Sequence, residues 1–180
     1  MAYTISDPFS GVLPVANIDT GFIPPVGVSN GSTTTYPTLP LYPGMIVEGF
    51  DPTYGYGEFI LLKGVASTAV GSVVSYNTLN YTTTLAAVGT NVPYPVAISM
   101  SANTSSSNWS WYQISGMAVA QKSAVSLVAG SALGIATAGF LSVSATGSEV
   151  ESAVVATTAT AATTTVQVNI ARPNMQGRIT

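Results

Sequence analysis

The sequence contains no cysteine and no histidine. Without cysteine the chain can form neither disulfides nor thiolate metal sites. Without histidine it lacks the most common general base and the most common metal ligand, and a Ser-His-Asp triad is excluded. We therefore predict that the protein is not an enzyme and that it has no catalytic residue, no cofactor and no metal site.

Charged side chains are scarce. Four basic and seven acidic residues give the 180-residue chain a net charge of −3, and charged residues make up 6% of it. Because clustered lysine and arginine are needed to neutralise phosphates, we expect no nucleic-acid partner. A surface with so few charges is poorly protected against association, so we also expect a homo-oligomer, with a trimer as the favoured state.

Long apolar runs are missing as well. No stretch reaches the about 18 apolar residues that a membrane-spanning helix needs. Residues 1–8 carry neither the basic stretch nor the apolar core of a signal peptide, and we expect no membrane partner. The hydrophobic fraction of 47% and the mean hydropathy of +0.43 are instead sufficient for one sizeable core.

Proline sets the N-terminal part of the chain apart, because seven of the eleven prolines lie within residues 1–43. Helices and central strands do not tolerate this density, since proline fixes φ and lacks a backbone donor. We predict two parts, an extended arm of residues 1–44 and a β-barrel domain of residues 45–180. The arm is rich in apolar side chains, so it either orders against a partner or wraps over its own barrel. The candidate partner-binding residues are Phe9, Phe22, Ile23, Tyr36 and Tyr42.

From residue 45 onward, short apolar runs are separated by glycine, asparagine and proline. This pattern predicts an all-β fold, a small antiparallel β-barrel or sandwich with a long extended N-terminal arm. Residues 152–163 are ambiguous, because their alanines favour a helix and their threonines favour a strand or a loop. The predicted strands are 45–50, 58–65, 72–76, 83–87, 96–101, 109–119, 140–143 and 164–171.

Residues 108–121 hold both tryptophans and the longest strand pattern, so we predict that they form the central strand. Gly116 interrupts the pattern and predicts a bulge or bend. The tryptophans have two interpretations, packing within the sheet or an exposed platform on which a ligand stacks. Alternation predicts two faces, Trp109, Trp111, Gln113 and Ser115 on one and Tyr112 and Ile114 on the other.

The charged residues offer few candidates for catalysis. Glu149 and Glu151 stand two apart and would share one face of a strand. That spacing could imitate the paired carboxylates of a glycosidase, but it is more typical of a solvated strand end. We predict that Lys63 and Lys122 are surface or edge-strand charges.

Five short segments follow one another along the chain: GEFI at 57–60, VGSVVSY at 70–76, WYQISG at 111–116, VAGSAL at 128–133 and ARP at 171–173. In this order they resemble the head decoration, or capsid cement, proteins of tailed phages, over about residues 55 to 173. The resemblance implies a compact β-barrel on the outer surface of the virion capsid, often a trimer at three-fold positions. Its partner would be the major capsid protein, whose lattice it stabilises.

Two classes of function follow from the sequence. The first is a structural decoration protein that binds the outside of an icosahedral phage head through its arm and barrel edge. The second is a β-structured module of a fibre, spike or adhesin that binds carbohydrate through surface aromatics, with Trp109, Trp111 and nearby tyrosines as the platform.

Overall fold

A computed structural model describes residues 4–5, 43–89, 93–104, 106 and 109–176. Over these residues the regular secondary structure is β-strand, and the prediction of an all-β, antiparallel fold is confirmed. The described part of the chain contains eleven strands: β1 (Thr4–Ile5), β2 (Ile46–Asp51), β3 (Gly55–Lys63), β4 (Val73–Tyr76), β5 (Thr83–Leu85), β6 (Val96–Ser99), β7 (Trp109–Gln121), β8 (Ala132–Thr137), β9 (Phe140–Val143), β10 (Glu149–Val155) and β11 (Thr165–Met175).

Each of the eight predicted strands corresponds to an observed one. The sequence pattern missed β8, whose ALGIAT segment contains alanine and glycine, residues that are depleted in strands. It also left residues 152–155 of β10 undecided, because they begin a segment whose alanines favour a helix and whose threonines favour a strand or a loop. In the structure Ser152 has a left-handed φ of 59°. Within the ambiguous segment, residues 152–155 complete β10, and the rest forms turns and a bridge at Ala159.

Strand β7 is central, as predicted, and it pairs antiparallel with three strands. β3 lies opposite residues 109–116, β6 opposite residues 112–113 and β11 opposite residues 115–121. Because residues 112–113 and 115–116 each have two partner strands, β3 occupies one edge of β7, while β6 and β11 share the other. The sheet runs in the order β1-β2-β3-β7-β11-β10-β8-β9, and β4 and β5 join it through β6.

Backbone hydrogen bonds connect distant parts of this sheet and curl it into a half-barrel. Ser123 N donates to Leu141 O at 2.8 Å, and Val73 N donates to Gly139 O at 2.9 Å. Burying an apolar side chain contributes about 1.5 to 3 kcal/mol, so the cluster with the most buried residues contributes most to stability. Its largest members are Val73, Val96, Ile98, Leu127, Leu133, Ile135, Leu141, Val150, Val155, Val166, Val168, Ile170 and Met175.

The first half of β7 is packed on both faces. Trp109 and Trp111 are only 7% and 1% exposed, so they pack within the sheet and cannot form an exposed ligand platform. The packing interpretation of the tryptophans is confirmed. One face holds Val47, Phe59, Leu61, Met100, Trp109 and Trp111, and the other holds Ile60, Leu62, Val74, Ala97, Tyr112 and Ile114.

A β-bulge interrupts the pairing of β7 with β3. Phe59 pairs with Gln113, whereas Glu58 pairs with Ser115, so Ile114 has no partner on β3. Neighbouring residues of β3 point to opposite faces, and paired residues share a face. Ser115 therefore lies on the face of Glu58, opposite to the face of Gln113. The prediction that Gln113 and Ser115 share a face is wrong, because the extra residue reverses the alternation.

Gly116 makes this bulge sterically feasible. Its φ is 93°, a value that favours glycine, and a Cβ atom there would lie 2.4 Å from the carbonyl oxygen of Tyr56. The Gln113 side chain supports the same region, since its Nε2 donates to Ser115 O at 3.1 Å and to Met117 O at 3.0 Å. A bulge is present in this part of the strand, as predicted, but its extra residue is Ile114, two positions before Gly116, which pairs with Gly57.

Three consecutive side chains of β7 bury a polar atom that has no hydrogen-bond partner in the described residues: Trp111 Nε1, Tyr112 Oη and Gln113 Oε1. Burial raises the pKa of the Tyr112 phenol. The polar side chains of Thr83, Asn103 and Ser99 offset part of this rise in pKa. None of them is in hydrogen-bond geometry with Tyr112 Oη.

The structure describes only two short pieces of the predicted arm. Thr4 and Ile5 pair with Phe50 and Gly49, which makes β1 a neighbour of β2 in the same chain. At the other end, Gly44 N donates to Leu61 O at 2.8 Å. The division at residue 44 stays a prediction. The candidate partner-binding residues lie outside the described residues: Phe9, Phe22, Ile23, Tyr36 and Tyr42.

Candidate functional site

One face of β2 and β3 presents polar and aromatic side chains next to each other. Along β2 the residues alternate between exposed and buried, so that Glu48 and Phe50 point outward while Val47 points inward. Cross-strand pairing then places Glu48 opposite Glu58 and Phe50 opposite Tyr56. Facing residues of an antiparallel pair are close enough for their side chains to interact.

The turn between these strands holds the aromatic pair in place. Asp51 is buried, and its Oδ1 accepts hydrogen bonds from Thr53 N at 2.7 Å and Tyr54 N at 3.1 Å. A carboxylate that bonds backbone amides two and three residues later is a standard turn device. Gly55 ends the turn with a φ of 78°. Asp51 is thus committed to the turn and leaves the adjacent groove to other side chains.

A groove of about 440 Å³ opens on this face, lined by Glu48, Tyr56, Gly57, Glu58 and Ser115. The bulge of β7 is what directs Ser115 to this side of the sheet. Tyr56 is 69% exposed, and its ring lies 4.9 Å from that of Phe50 at an interplanar angle of 53°. This tilted arrangement is favourable for aromatic pairs and braces the Tyr56 ring at the edge of the groove.

Arg172 holds the carboxylate of Glu58 with two hydrogen bonds. Its Nε donates to Oε2 at 3.1 Å and its Nη2 to Oε1 at 2.9 Å. These bonds, together with the charge of Glu58, raise the pKa of the Arg172 guanidinium. A bidentate pair of this geometry orients the carboxylate as well as neutralising it.

An irregular segment of β11 carries Arg172 to this position. The pairing of β10 with β11 shifts between Glu151 and Ala153, and Arg172 has a left-handed φ of 50°. Non-glycine residues rarely adopt such values, and they do so where the surrounding structure requires them. The Arg172 guanidinium also lies near Tyr76. Burial raises the pKa of the Tyr76 phenol, and the charge of Arg172 opposes that rise.

The residues that the sequence singled out lie elsewhere. Glu149 is half-buried and Glu151 exposed on β10, and neither lines the groove. Lys122 is 3% exposed, and its Nζ donates to the carbonyl oxygens of Ser123 at 3.1 Å and Val125 at 2.7 Å. The prediction that Lys122 is a surface charge is wrong, because its ammonium bonds backbone carbonyls at the end of β7. Lys63 is half-buried at the end of β3.

Sequence reasoning did not find Glu48, Ser115 or Arg172 as members of one site. Glu58 and Arg172 are 114 positions apart, and no local motif connects them. The bulge determines to which face of the sheet Ser115 points. The sequence does not indicate that the bulge reverses the alternation of side chains. In the sequence, Arg172 stands out only as part of the ARP segment at 171–173, which contributes to the resemblance.

The described part of the chain contains neither a candidate metal site nor a candidate membrane-spanning helix. It contains no group of three or more acidic side chains arranged to hold a metal ion. Among the same residues, no helix is long and apolar enough to cross a membrane.

The chain matches no family model, no curated protein and no solved structure.

Proposed function

We propose that the protein is a structural decoration protein that binds the outside of a tailed-phage head and stabilises the lattice of the major capsid protein. The observation that carries this proposal is the ordered set of segments between residues 57 and 173, which resembles that family. The resemblance implies a compact β-barrel, and the curled antiparallel sheet is compatible with it. Because one fold serves many functions, the fold alone would not justify the assignment.

The surface supports a role in assembly. With charged residues at 6% of the chain, several large apolar side chains are exposed on different strands and turns. Apolar surface of this kind is protected when other subunits cover it. The proposed covering partners are the capsid lattice and two further copies of this chain in a trimer. The exposed side chains include Val70, Leu79, Val88, Tyr94, Val128 and Val143.

The arm is the proposed means of attachment. Ordering an extended segment costs about 1 to 2 kcal/mol per residue, so its apolar anchors must bury enough area on the partner to exceed that cost. Phe22 and Tyr42 are two of the proposed anchors. Thr33, in a run of small polar residues, is a matched position without an apolar side chain.

Rebinding to heads tests this proposal. Purified protein is mixed with source-phage heads stripped of it, and bound protein is measured by co-sedimentation. We expect saturable binding that raises the temperature at which the heads break open. We expect Phe22→Ala and Tyr42→Ala to weaken binding by at least about 1 kcal/mol, or about fivefold, and Thr33→Ala to have little effect. Absence of the chain from purified virions, or no binding to stripped heads, would refute the function.

Deleting the arm separates its two possible roles. If residues 1–44 serve the capsid, their removal abolishes head binding and changes the melting temperature little, since the described backbone pairing that it removes is the two-residue strand β1 and the hydrogen bond from Gly44 N to Leu61 O. Retained head binding together with a large drop in melting temperature would show that the arm belongs to the fold of its own barrel.

A second candidate function is the carbohydrate-binding module. The buried tryptophans exclude the platform that the sequence indicated for it. The groove beside Tyr56 offers a different aromatic residue for such a module, next to the polar side chains of Glu58 and Ser115.

A further inference from the structure

We infer that the groove lined by Glu48, Tyr56, Glu58 and Ser115 is a binding site for a neutral carbohydrate. In this site one sugar ring lies against the Tyr56 ring while its hydroxyl groups bond the Glu58 carboxylate and the Ser115 hydroxyl. The inference is independent of capsid binding, because it uses neither the arm nor contacts between subunits.

The size and the aromatic wall of the groove fit a sugar ring. Its volume of about 440 Å³ falls within the about 300 to 1,000 Å³ typical of small-molecule sites. Tyr56 is largely exposed, and the C–H groups on one face of a sugar ring are positively polarised, so they are attracted to the negative face of an aromatic ring. Because Phe50 already braces Tyr56, little side-chain freedom is lost on binding.

The polar groups of the groove suit vicinal hydroxyls. Each oxygen of Glu58 accepts one bond from Arg172 and keeps capacity for another, because a carboxylate offers about four acceptor positions. The Ser115 hydroxyl both donates and accepts. Because Arg172 bonds both oxygens of the Glu58 carboxylate, it fixes the orientation of that group and of its remaining acceptor positions. A pair of neighbouring sugar hydroxyls can bond two acceptor atoms held in a fixed orientation.

The charge of the site discriminates between ligand classes. Glu58 and Arg172 form an ion pair without net charge, so the pair attracts neither anionic nor cationic ligands strongly. No third acidic side chain among the described residues completes a metal site. A neutral ligand with many hydroxyl groups meets both the polar and the aromatic requirements.

Saturation-transfer NMR on the full chain tests the inference. The probes are the methyl glycosides of glucose, galactose, mannose and N-acetylglucosamine at millimolar concentration. We expect transfer to the ring protons of at least one glycoside. We expect Tyr56→Ala and Glu58→Gln to reduce its affinity at least about fivefold, whereas Tyr56→Phe, which keeps the aromatic face, retains most of the binding.

Two controls make the result decisive. Tyr94→Ala removes an exposed tyrosine that does not line the groove, and it should leave transfer unchanged. Circular dichroism and the melting temperature show that each variant is folded. No transfer to any of the four glycosides, or transfer that survives Tyr56→Ala, overturns the inference. Transfer to the methyl ester of lysine in place of the glycosides also overturns it and assigns the groove to a basic side chain. None of these outcomes affects the head-binding experiment.

Discussion

Gly116 allows the bulge to be tested by a single added methyl group. An alanine there must adopt a φ of 93°, and its Cβ would lie 2.4 Å from the Tyr56 carbonyl oxygen on β3. Gly130 is a matched control, because its φ is 84° but nothing lies within 4 Å of an added Cβ. The two substitutions therefore share the backbone strain and differ in the clash.

The magnitudes follow from these two contributions. A left-handed conformation costs alanine about 1 to 2 kcal/mol, and the lower entropy of its unfolded chain offsets up to about 1 kcal/mol. Gly130→Ala should thus lower the free energy of unfolding by about 1 kcal/mol. Forcing an atom into a packed site costs about 1 to 3 kcal/mol more, so Gly116→Ala should lower it by about 2 to 4 kcal/mol.

Urea unfolding at one fixed protein concentration measures both variants, because association would shift the apparent stability. The expected result is a clearly larger loss for Gly116→Ala than for Gly130→Ala. Equal losses would refute the inference that Gly116 occupies a sterically closed position next to the bulge. The bulge directs Ser115 into the groove, so Gly116→Ala should also weaken glycoside binding, whereas Gly130→Ala should not.

Three further predictions concern β7 and the residue that follows it, Lys122. Tyr112→Phe should leave the free energy of unfolding unchanged or raise it, since the buried hydroxyl has no hydrogen-bond partner in the described residues, whereas Tyr112→Ala should lower it by about 3 to 5 kcal/mol. A clear loss for the phenylalanine variant in chemical denaturation would reveal a bond to that hydroxyl. Lys122→Met should cost about 1 to 3 kcal/mol because two backbone carbonyls lose a charged donor, and unchanged or greater stability in the same assay would contradict this. Acrylamide should quench Trp109 and Trp111 weakly in the native protein and strongly in urea, and equal quenching in both states would contradict their burial.

The sequence alone predicted much of the sheet. Side-chain alternation is a local property of a strand, so a clear pattern suffices to identify one. In β11, Val166, Val168 and Ile170 are buried and Asn169 is exposed, as the alternation predicts. The break at Gly116 was also readable, since glycine in a strand often marks a bulge.

The candidate site could not be read in the same way. A bulge adds one residue, and one residue is enough to move every following side chain to the opposite face, which is why Ser115 faces Glu58 and not the tryptophans. Residues 152–155 of β10 were undecided because alanine and threonine favour different structures there, and the left-handed Ser152 lies at the register shift between β10 and β11.

What the sequence by itself determined is the all-β class, the central strand and the scarcity of charge, since each depends on composition or on neighbouring residues. The tertiary structure alone decided which charges meet. Glu58 and Arg172 are 114 positions apart in the sequence. They come together because β3 and β11 both pair with β7, where Ser115 has Glu58 as its partner on one side and Ala171, the neighbour of Arg172, on the other. It also decided that Lys122 is buried and that both tryptophans are covered. Burial depends on what packs against a residue, and that is set by strand pairing over long distances in the chain.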